Sequence, residues 1–141
     1  MKLKDSKKEM QQKYVELQMI DAQIKQIEKQ LQAIEAQSVE IEAILFSLDE
    51  LSKTEVGAEI LVPVSSGIFV KASLKDNKQL RVNVGGNTVV EKDIPATKAL
   101  LVNQVSEMRR LQEELTEQYE KLAGAAEKLT IDINALAGEQ Q

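Results

Sequence analysis

The feature that most restricts the fold is a heptad repeat that runs through the first third of the chain without Gly or Pro. With Met10 lettered as position a, the a and d positions beyond it hold mostly Ile and Leu. They are Leu17, Ile20, Ile24, Ile27, Leu31, Ile34, Ser38, Ile41, Leu45 and Leu48. Only Ser38 clearly interrupts the series after Leu17. Apolar repetition every 3.5 residues over several heptads is typical of a helix in a left-handed coiled coil.

This pattern predicts a first helix, assigned to residues 1–57. Ser6 and Glu9 have the spacing of a capping box, which predicts that the helix begins near Ser6. Gly57 suits the left-handed conformation that ends many helices, so the helix is expected to stop there.

A second helix of matched length is predicted over residues 94–141. Asp93 is placed to cap it, and Pro95 falls in its first turn, where a missing N–H costs nothing. With Leu101 lettered as a, this helix has a poorer seam, because three d positions are polar. The predicted seam is Leu101, Gln104, Met108, Leu111, Leu115, Gln118, Leu122, Ala125, Leu129, Asp132 and Leu136. Each helix should span roughly 65 Å.

Equal length and a short connection favour an antiparallel coiled-coil hairpin within one chain, although a parallel coil between chains could use the same heptads. The predicted fold class is therefore α+β: a single domain over residues 1–141, with a β module at 58–93 between the helices. Four strands are predicted there, at about 59–64, 68–74, 79–84 and 88–92, forming two β-hairpins.

The β module carries apolar side chains on both faces of its strands. Val62, Val70 and Val82 are assigned to one face, and Leu61, Phe69 and Val90 to the other. Since the helices project away from the strands, nothing in the chain would cover them, and each exposed large aliphatic side chain forgoes roughly 1.5–3 kcal/mol. We therefore predict that these six residues form an assembly interface, in which hairpins from several subunits close an inter-subunit barrel.

Charge and composition exclude several function classes. The net charge of −5 disfavours nucleic acid as a partner, because phosphate binding needs a basic face. No apolar run approaches the length of a membrane span, so no membrane partner is expected. The chain has no Cys and no His, and we expect no catalytic residues, cofactor or metal.

A chain without Cys fits a reducing compartment, and a cytoplasmic location is expected. The stretch "VGGN" is interpreted as a hairpin turn, since a phosphate loop needs a following Lys and Ser or Thr.

At this point the sequence resembles the α class of prefoldin. The resemblance covers nearly the whole chain, and its most specific parts are "LVPV" before a turn of small residues and "VNVGGNTVVEK". It implies a non-enzymatic subunit in a hexamer of two α and four β-class subunits, with coiled-coil tentacles around a cavity. It also implies an ATP-independent holdase that captures unfolded client proteins and delivers them to a group II chaperonin. A self-assembling prefoldin-like structural or filament protein stays open as an alternative.

Client binding would have to use apolar surface, and the heptad lettering points to the far tip of the hairpin. Val15 falls at f, Met19 at c, Ile131 at c and Ile133 at e, all away from the predicted seam. The predicted client-binding residues are Leu3, Met10, Val15, Met19, Ile131, Ile133 and Leu136, the remaining three lying where Asp132 should loosen the seam. The alternative is that these are ordinary scattered surface side chains.

Overall fold

Along the chain, one long helix precedes two β-hairpins and a second long helix follows them. The structure is a computed structural model that describes residues 2–139; Met1 and residues 140–141, which the predicted helices and domain included, lie outside the described residues. The elements are α1 (Lys2–Lys53), β1 (Glu59–Ser65), β2 (Ile68–Ser73), β3 (Gln79–Gly85), β4 (Thr88–Asp93) and α2 (Ile94–Glu139). The predicted α+β class with two hairpins between two helices is confirmed.

Both ends of α1 differ from the prediction. The chain is already helical at Lys2, so the start predicted near Ser6 is wrong. Asp5 lies in the first turn, where its negative charge interacts favourably with the helix dipole. The helix ends at Lys53 rather than near Gly57. Just past its end, the carbonyl oxygen of Thr54 accepts a hydrogen bond from the side-chain amide of Asn77 at 3.0 Å. This contact anchors the segment between the hairpins to the end of α1.

Gly57 turns the chain from α1 into β1. Its φ of 91° lies in the left-handed region, which a side chain would disfavour. Its N–H donates to the carbonyl oxygen of Leu74 at 2.7 Å, while the N–H of Leu74 donates to the carbonyl oxygen of Ala58 at 3.0 Å. The first hairpin is therefore continued by two backbone hydrogen bonds next to the helix end.

The predicted start of α2 is confirmed. A carboxylate oxygen of Asp93 accepts a hydrogen bond from the backbone N–H of Ala96 at 2.7 Å, which is the contact of a helix N-cap. Pro95 lies in the first turn, as predicted.

Replacing Asp93 with alanine should lower the free energy of unfolding by about 1 kcal/mol, because the N–H of Ala96 then loses its acceptor. Chemical unfolding followed by circular dichroism measures the change. Asp93→Asn is the matched control, since its amide oxygen keeps the bond; equal losses in both variants would contradict the assignment.

The chain divides into two compact units, and both helices contribute to each. Unit 1 comprises Met1–Ala36 and Met108–Gln141. Its core contains Ile27, Ile34 and Leu115, with partly buried Leu31, Met108, Tyr119 and Leu122 packed against them. Near the start of α1, Lys13 pairs with Asp132 near the end of α2, so the two helices of this unit run antiparallel.

Unit 2 comprises residues 37–107 and contains both hairpins. Ile41 and Leu48 of α1 and Ile94 of α2 are buried. Asp49 forms an ion pair with Lys98, which again places the end of α1 beside the start of α2. That residues 1–141 form a single domain stays a prediction.

The seam of α1 follows the predicted lettering. Ile27, Ile34, Ile41 and Leu48 are buried at d, and the a positions from Met10 to Leu45 are half-buried. Lys13 also occupies a d position, where sequence reasoning placed no seam residue.

One of the two rows of residues in the predicted α2 seam, the d row, is wrong by one residue. The leucines at a and Met108 are at least half-buried as predicted, but the second row lies four residues after them rather than three. The observed second row is Val105, Gln112, Tyr119, Ala126 and Ile133, in place of Gln104, Leu111, Gln118, Ala125 and Asp132. Both spacings average 3.5 residues when they alternate with the same leucines, so periodicity alone does not separate them.

Each pair of strands forms its own two-stranded antiparallel sheet, β1 with β2 and β3 with β4. The loop between β3 and β4 is Gly86-Asn87, and both residues have positive φ, of 56° and 62°. Positive φ at both central residues is the signature of a type I′ hairpin turn, so the predicted turn is confirmed.

Ahead of β3, a carboxylate oxygen of Asp76 accepts hydrogen bonds from the N–H groups of Lys78 and Gln79 at 2.8 and 3.2 Å. These bonds lower the pKa of the Asp76 carboxyl and fix the turn into the second hairpin.

Candidate functional surfaces

The predicted tip residues do not form one surface. Leu3, Val15, Met19 and Ile131 are exposed, whereas Met10 and Leu136 are half-buried in the seam. Ile133 is only 4% exposed, so its predicted position away from the seam is wrong. The error follows from the one-residue shift in α2, which moves Ile133 from the outer surface into the helix contact.

Val15 and Met19 lie together on α1, because residues four apart are neighbours on a helix surface. Tyr14, which sequence reasoning missed, is also exposed on this turn of α1. We call Val15 and Met19 the α1 outer patch. Val15 also borders a shallow depression of about 440 Å³ that is lined by Lys8, Gln11 and Gln12. The patch therefore combines apolar side chains with flexible polar ones.

Ile131 lies on the far side of the helix pair from the α1 outer patch. The contact between Lys13 and Asp132 places Val15 and Ile131 at the same level of unit 1. Each is two residues from a seam position and points away from the other helix. Since they face in opposite directions, they offer two separate contacts rather than one patch.

An ion pair lies at the far end of the seam, where Asp132 was predicted to loosen the contact between the helices. The Lys13 ammonium lies 3.2 Å from a carboxylate oxygen of Asp132, and both side chains are partly exposed. A pair of this kind contributes about 0.2–1 kcal/mol. Asp132 therefore joins the two helices weakly instead of separating them.

The first face of each hairpin is built from residues that lie directly opposite one another. Ile60 pairs with Ala72 and Val62 with Val70 in the first hairpin. In the second, Val82 pairs with Val90, which places both side chains on the same face. The prediction that Val90 lies on the face opposite Val82 is therefore wrong, because a residue and its cross-strand partner share a face.

The second faces of the two hairpins differ in chemistry. In the first hairpin, Pro63 pairs with Phe69 and Leu61 with Lys71. In the second hairpin, Arg81 pairs with Glu91, and their charged groups lie 4.0 Å apart. Leu61 and Phe69 are both more than half exposed, so the chain itself does not cover them.

Further apolar side chains are exposed on α1 in unit 2. Val39 and Phe46 lie seven residues apart, and both are more than half exposed. Their spacing puts them on one side of the helix, at heptad position b, directly after the seam residues Ser38 and Leu45. Sequence reasoning missed them because it searched for outward apolar residues only near the far tip.

Within residues 2–139, no helix is long and apolar enough to cross a membrane. The same part of the chain holds no cluster of three or more acidic side chains placed to bind a metal ion.

A family model for the prefoldin subunit matches residues 20–139. The chain belongs to the prefoldin family. Its resemblance to the α class is confirmed by archaeal relatives named prefoldin subunit alpha. The protein from Thermofilum pendens is 32% identical over 89 residues, which cover 63% of this chain and 69% of the relative. The protein from Archaeoglobus fulgidus is 22% identical over 130 residues, covering 92% of this chain and 95% of the relative.

Among solved structures, the chain is similar to filamentous prefoldin from Methanocaldococcus jannaschii, determined by cryo-electron microscopy. The TM-score is 0.74 at 20% identity, covering 82% of this chain and 95% of the other. This likeness supports the fold of two helices with intervening hairpins. Prefoldins are non-enzymatic chaperone subunits that assemble with other prefoldin subunits, so this chain has a chaperone-type role.

Proposed function

We propose that the chain is the α subunit of a hexamer with two α and four β-class prefoldin subunits, working in the cytoplasm. The complex would hold non-native proteins without ATP and deliver them to a group II chaperonin. The observation that carries this proposal is the set of apolar hairpin faces that the chain covers only in part: Leu61, Val62, Phe69 and Val70 of the first hairpin are exposed, and Val82 and Val90 of the second are half-buried. Faces of this kind become stable when other subunits remove them from water.

The α1 outer patch is the proposed client surface of this subunit. Val15 and Met19 are exposed and apolar, and an unbranched Met adapts its shape to different partners. Leu3 and Ile131 are additional exposed contacts, and Met10 and Leu136 lie half-buried in the seam of the same unit. Each contact is weak alone, but several subunits acting on one client multiply the affinity.

Replacing both Val15 and Met19 with serine should weaken client holding. Each substitution removes apolar contact worth about 1 kcal/mol, so together they should raise the concentration of complex needed for half-suppression of client aggregation by roughly thirtyfold. Light scattering of an aggregating client, with the variant assembled in the full complex, measures this effect. Val39→Ser is the matched control, because Val39 and Val15 are both 56% exposed on α1. Equal suppression by the double variant and the wild type would contradict the client role.

Native mass spectrometry with and without a β-class subunit tests the assembly. We expect a closed two-α, four-β hexamer that suppresses client aggregation without ATP and releases the client when a group II chaperonin is added. A chain that polymerises alone and does not suppress aggregation would instead support the filament alternative, which the filamentous architecture of the Methanocaldococcus relative motivates. A complex that holds clients but never transfers them would overturn only the delivery step.

A further inference from the structure

A shallow groove lies between α1 and α2 in unit 1, with a volume of about 500 Å³. The apolar part of its lining is Ile27, which is buried, and Leu122, which is half-buried. The polar part of its lining consists of exposed side chains from both helices. They are Gln23, Gln26, Gln30, Gln118 and Lys121. Four carboxamides and one ammonium group therefore border a strip of aliphatic side chains.

Each polar residue of the groove directly precedes a seam residue in the sequence. On α1, Gln26 comes one residue before Ile27. On α2, Lys121 comes one residue before Leu122. The other three glutamines have the same placement, which keeps all five side chains on one side of the helix contact.

The groove begins next to the α1 outer patch. Met19 also directly precedes a seam residue, and it lies four residues before Gln23. Residues four apart are neighbours on a helix surface, so the exposed Met19 side chain continues the groove along α1. A client that places an apolar side chain on Met19 can therefore run its main chain along the glutamines.

The chemistry of the groove favours a neutral ligand that both donates and accepts hydrogen bonds. Each carboxamide offers two N–H donors and one acceptor oxygen. Within residues 2–139, no hydrogen bond joins the side chains of the four glutamines to another residue, so these groups are open to a ligand. Among the described residues that line the groove there is no carboxylate, and Lys121 is the one charged side chain.

We propose that this groove binds the main chain of an extended, uncharged segment of a non-native protein. Such a segment has backbone N–H and C=O groups without partners in its own chain, and the carboxamides complement both kinds of group. Gln23 and Gln30 are seven residues apart, which is about 10 Å along a helix and matches about three residues of an extended chain. The inference rests on the proposed client holding and adds a contact that is the same for every client sequence.

Other kinds of ligand match the groove less well. A helical segment pairs its own backbone groups and would leave the carboxamides unused. A phosphate-rich ligand is bound by several cations, whereas Lys121 is alone in the groove. Hard metal ions bind mainly to carboxylates, which the lining lacks among the described residues. An extended main chain is therefore the ligand whose hydrogen-bonding groups and charge both agree with the groove.

Backbone methylation of a peptide tests the recognition of the main chain. The probe is a short, fluorescently labelled peptide of alternating serine and valine, and its partner carries N-methyl groups at every second residue. Methylation removes N–H donors and keeps the side chains, so it should raise the dissociation constant at least about tenfold. Fluorescence anisotropy measures binding to the chain assembled with β-class subunits. Equal binding of the two peptides, or no binding of the unmethylated one, would overturn the proposal.

A double variant, Gln26→Met with Gln30→Met, assigns the binding to this groove. Methionine keeps the side-chain length and the helix propensity but removes the carboxamides. Binding of the unmethylated peptide should weaken at least about fivefold, and the effect of methylation should fall to about twofold, because the carboxamides and the N–H groups act on each other. Gln32→Met is the matched control, since Gln32 is exposed on α1 outside the groove, and it should stay within about twofold of the wild type. Tighter binding by the double variant would indicate apolar recognition and would contradict the proposal, as would an equal loss in the control.

Suppression of client aggregation, measured by light scattering on the same complexes, separates this inference from the proposed function. If the peptide binds through the carboxamides but the wild-type complex does not suppress aggregation, the proposed function fails and the groove stands. If the wild-type complex suppresses aggregation while the double variant binds the peptide as the wild type does, the groove proposal alone fails.

Discussion

Replacing Ile133 with alanine should lower the free energy of unfolding by about 2–5 kcal/mol, the range for removing a buried Ile side chain. Ile133 is 4% exposed in the helix contact of unit 1. Alanine would leave a cavity between α1 and α2 that neighbouring side chains fill only in part. Chemical unfolding of the isolated chain, followed by its helical circular-dichroism signal, measures the loss.

Ile131→Ala is the control for this variant. Ile131 lies two residues earlier in the same helix and is 60% exposed, so the same substitution should change the free energy of unfolding by less than about 0.5 kcal/mol. Both residues were predicted to face outward as client contacts, but only Ile131 keeps that position, whereas Ile133 stabilises the contact between the helices. Similar losses in both variants would contradict the observed seam of α2.

The sequence alone predicted several parts of the fold that depend on local chemistry, although not the two ends of α1. The α1 repeat, the Asp93 cap and the hairpin turns each follow from a few neighbouring residues, and the structure has all three. The α2 seam was harder to predict, because the row of leucines at a is compatible with a second row either three or four residues after them. A signal was nevertheless present: Tyr119 and Ile133 each directly follow a polar residue of the row chosen from the sequence.

Contacts between distant segments could not be predicted from local patterns. Lys13 and Asp132 are 119 residues apart, and each one, considered by itself, is a polar residue that interrupts an apolar seam. Their pairing requires knowing how the two helices align, which depends on the packing of all the intervening side chains. The faces of the hairpins posed the same difficulty. Val90 was assigned to the wrong face because alternation along one strand does not fix the register with its partner.

Val82→Asp should abolish the hexamer proposed for this chain. Val82 lies opposite Val90 on the apolar face of the second hairpin, which the proposed assembly removes from water. A carboxylate buried there loses its hydration, which costs several kcal/mol that Lys92 on the same face offsets only in part, and each 1.4 kcal/mol raises a dissociation constant about tenfold. At micromolar concentrations we therefore expect separate subunits, with a dissociation constant raised at least about 100-fold, measured by native mass spectrometry with β-class subunits.

Asn83→Asp provides the control for this variant, because it adds the same charge one residue later on the opposite face. The Asn83 side-chain oxygen accepts a hydrogen bond from the N–H of Gly85 at 2.9 Å, and a carboxylate can accept the same bond. The hairpin should keep its turn, and the hexamer should form as in the wild type. If Asn83→Asp dissociates the complex as completely as Val82→Asp, added charge alone explains the effect, and the assembly does not depend on which face is apolar. Dissociation by Val82→Asp alone would assign the Val82 and Val90 face of the second hairpin to the subunit interface.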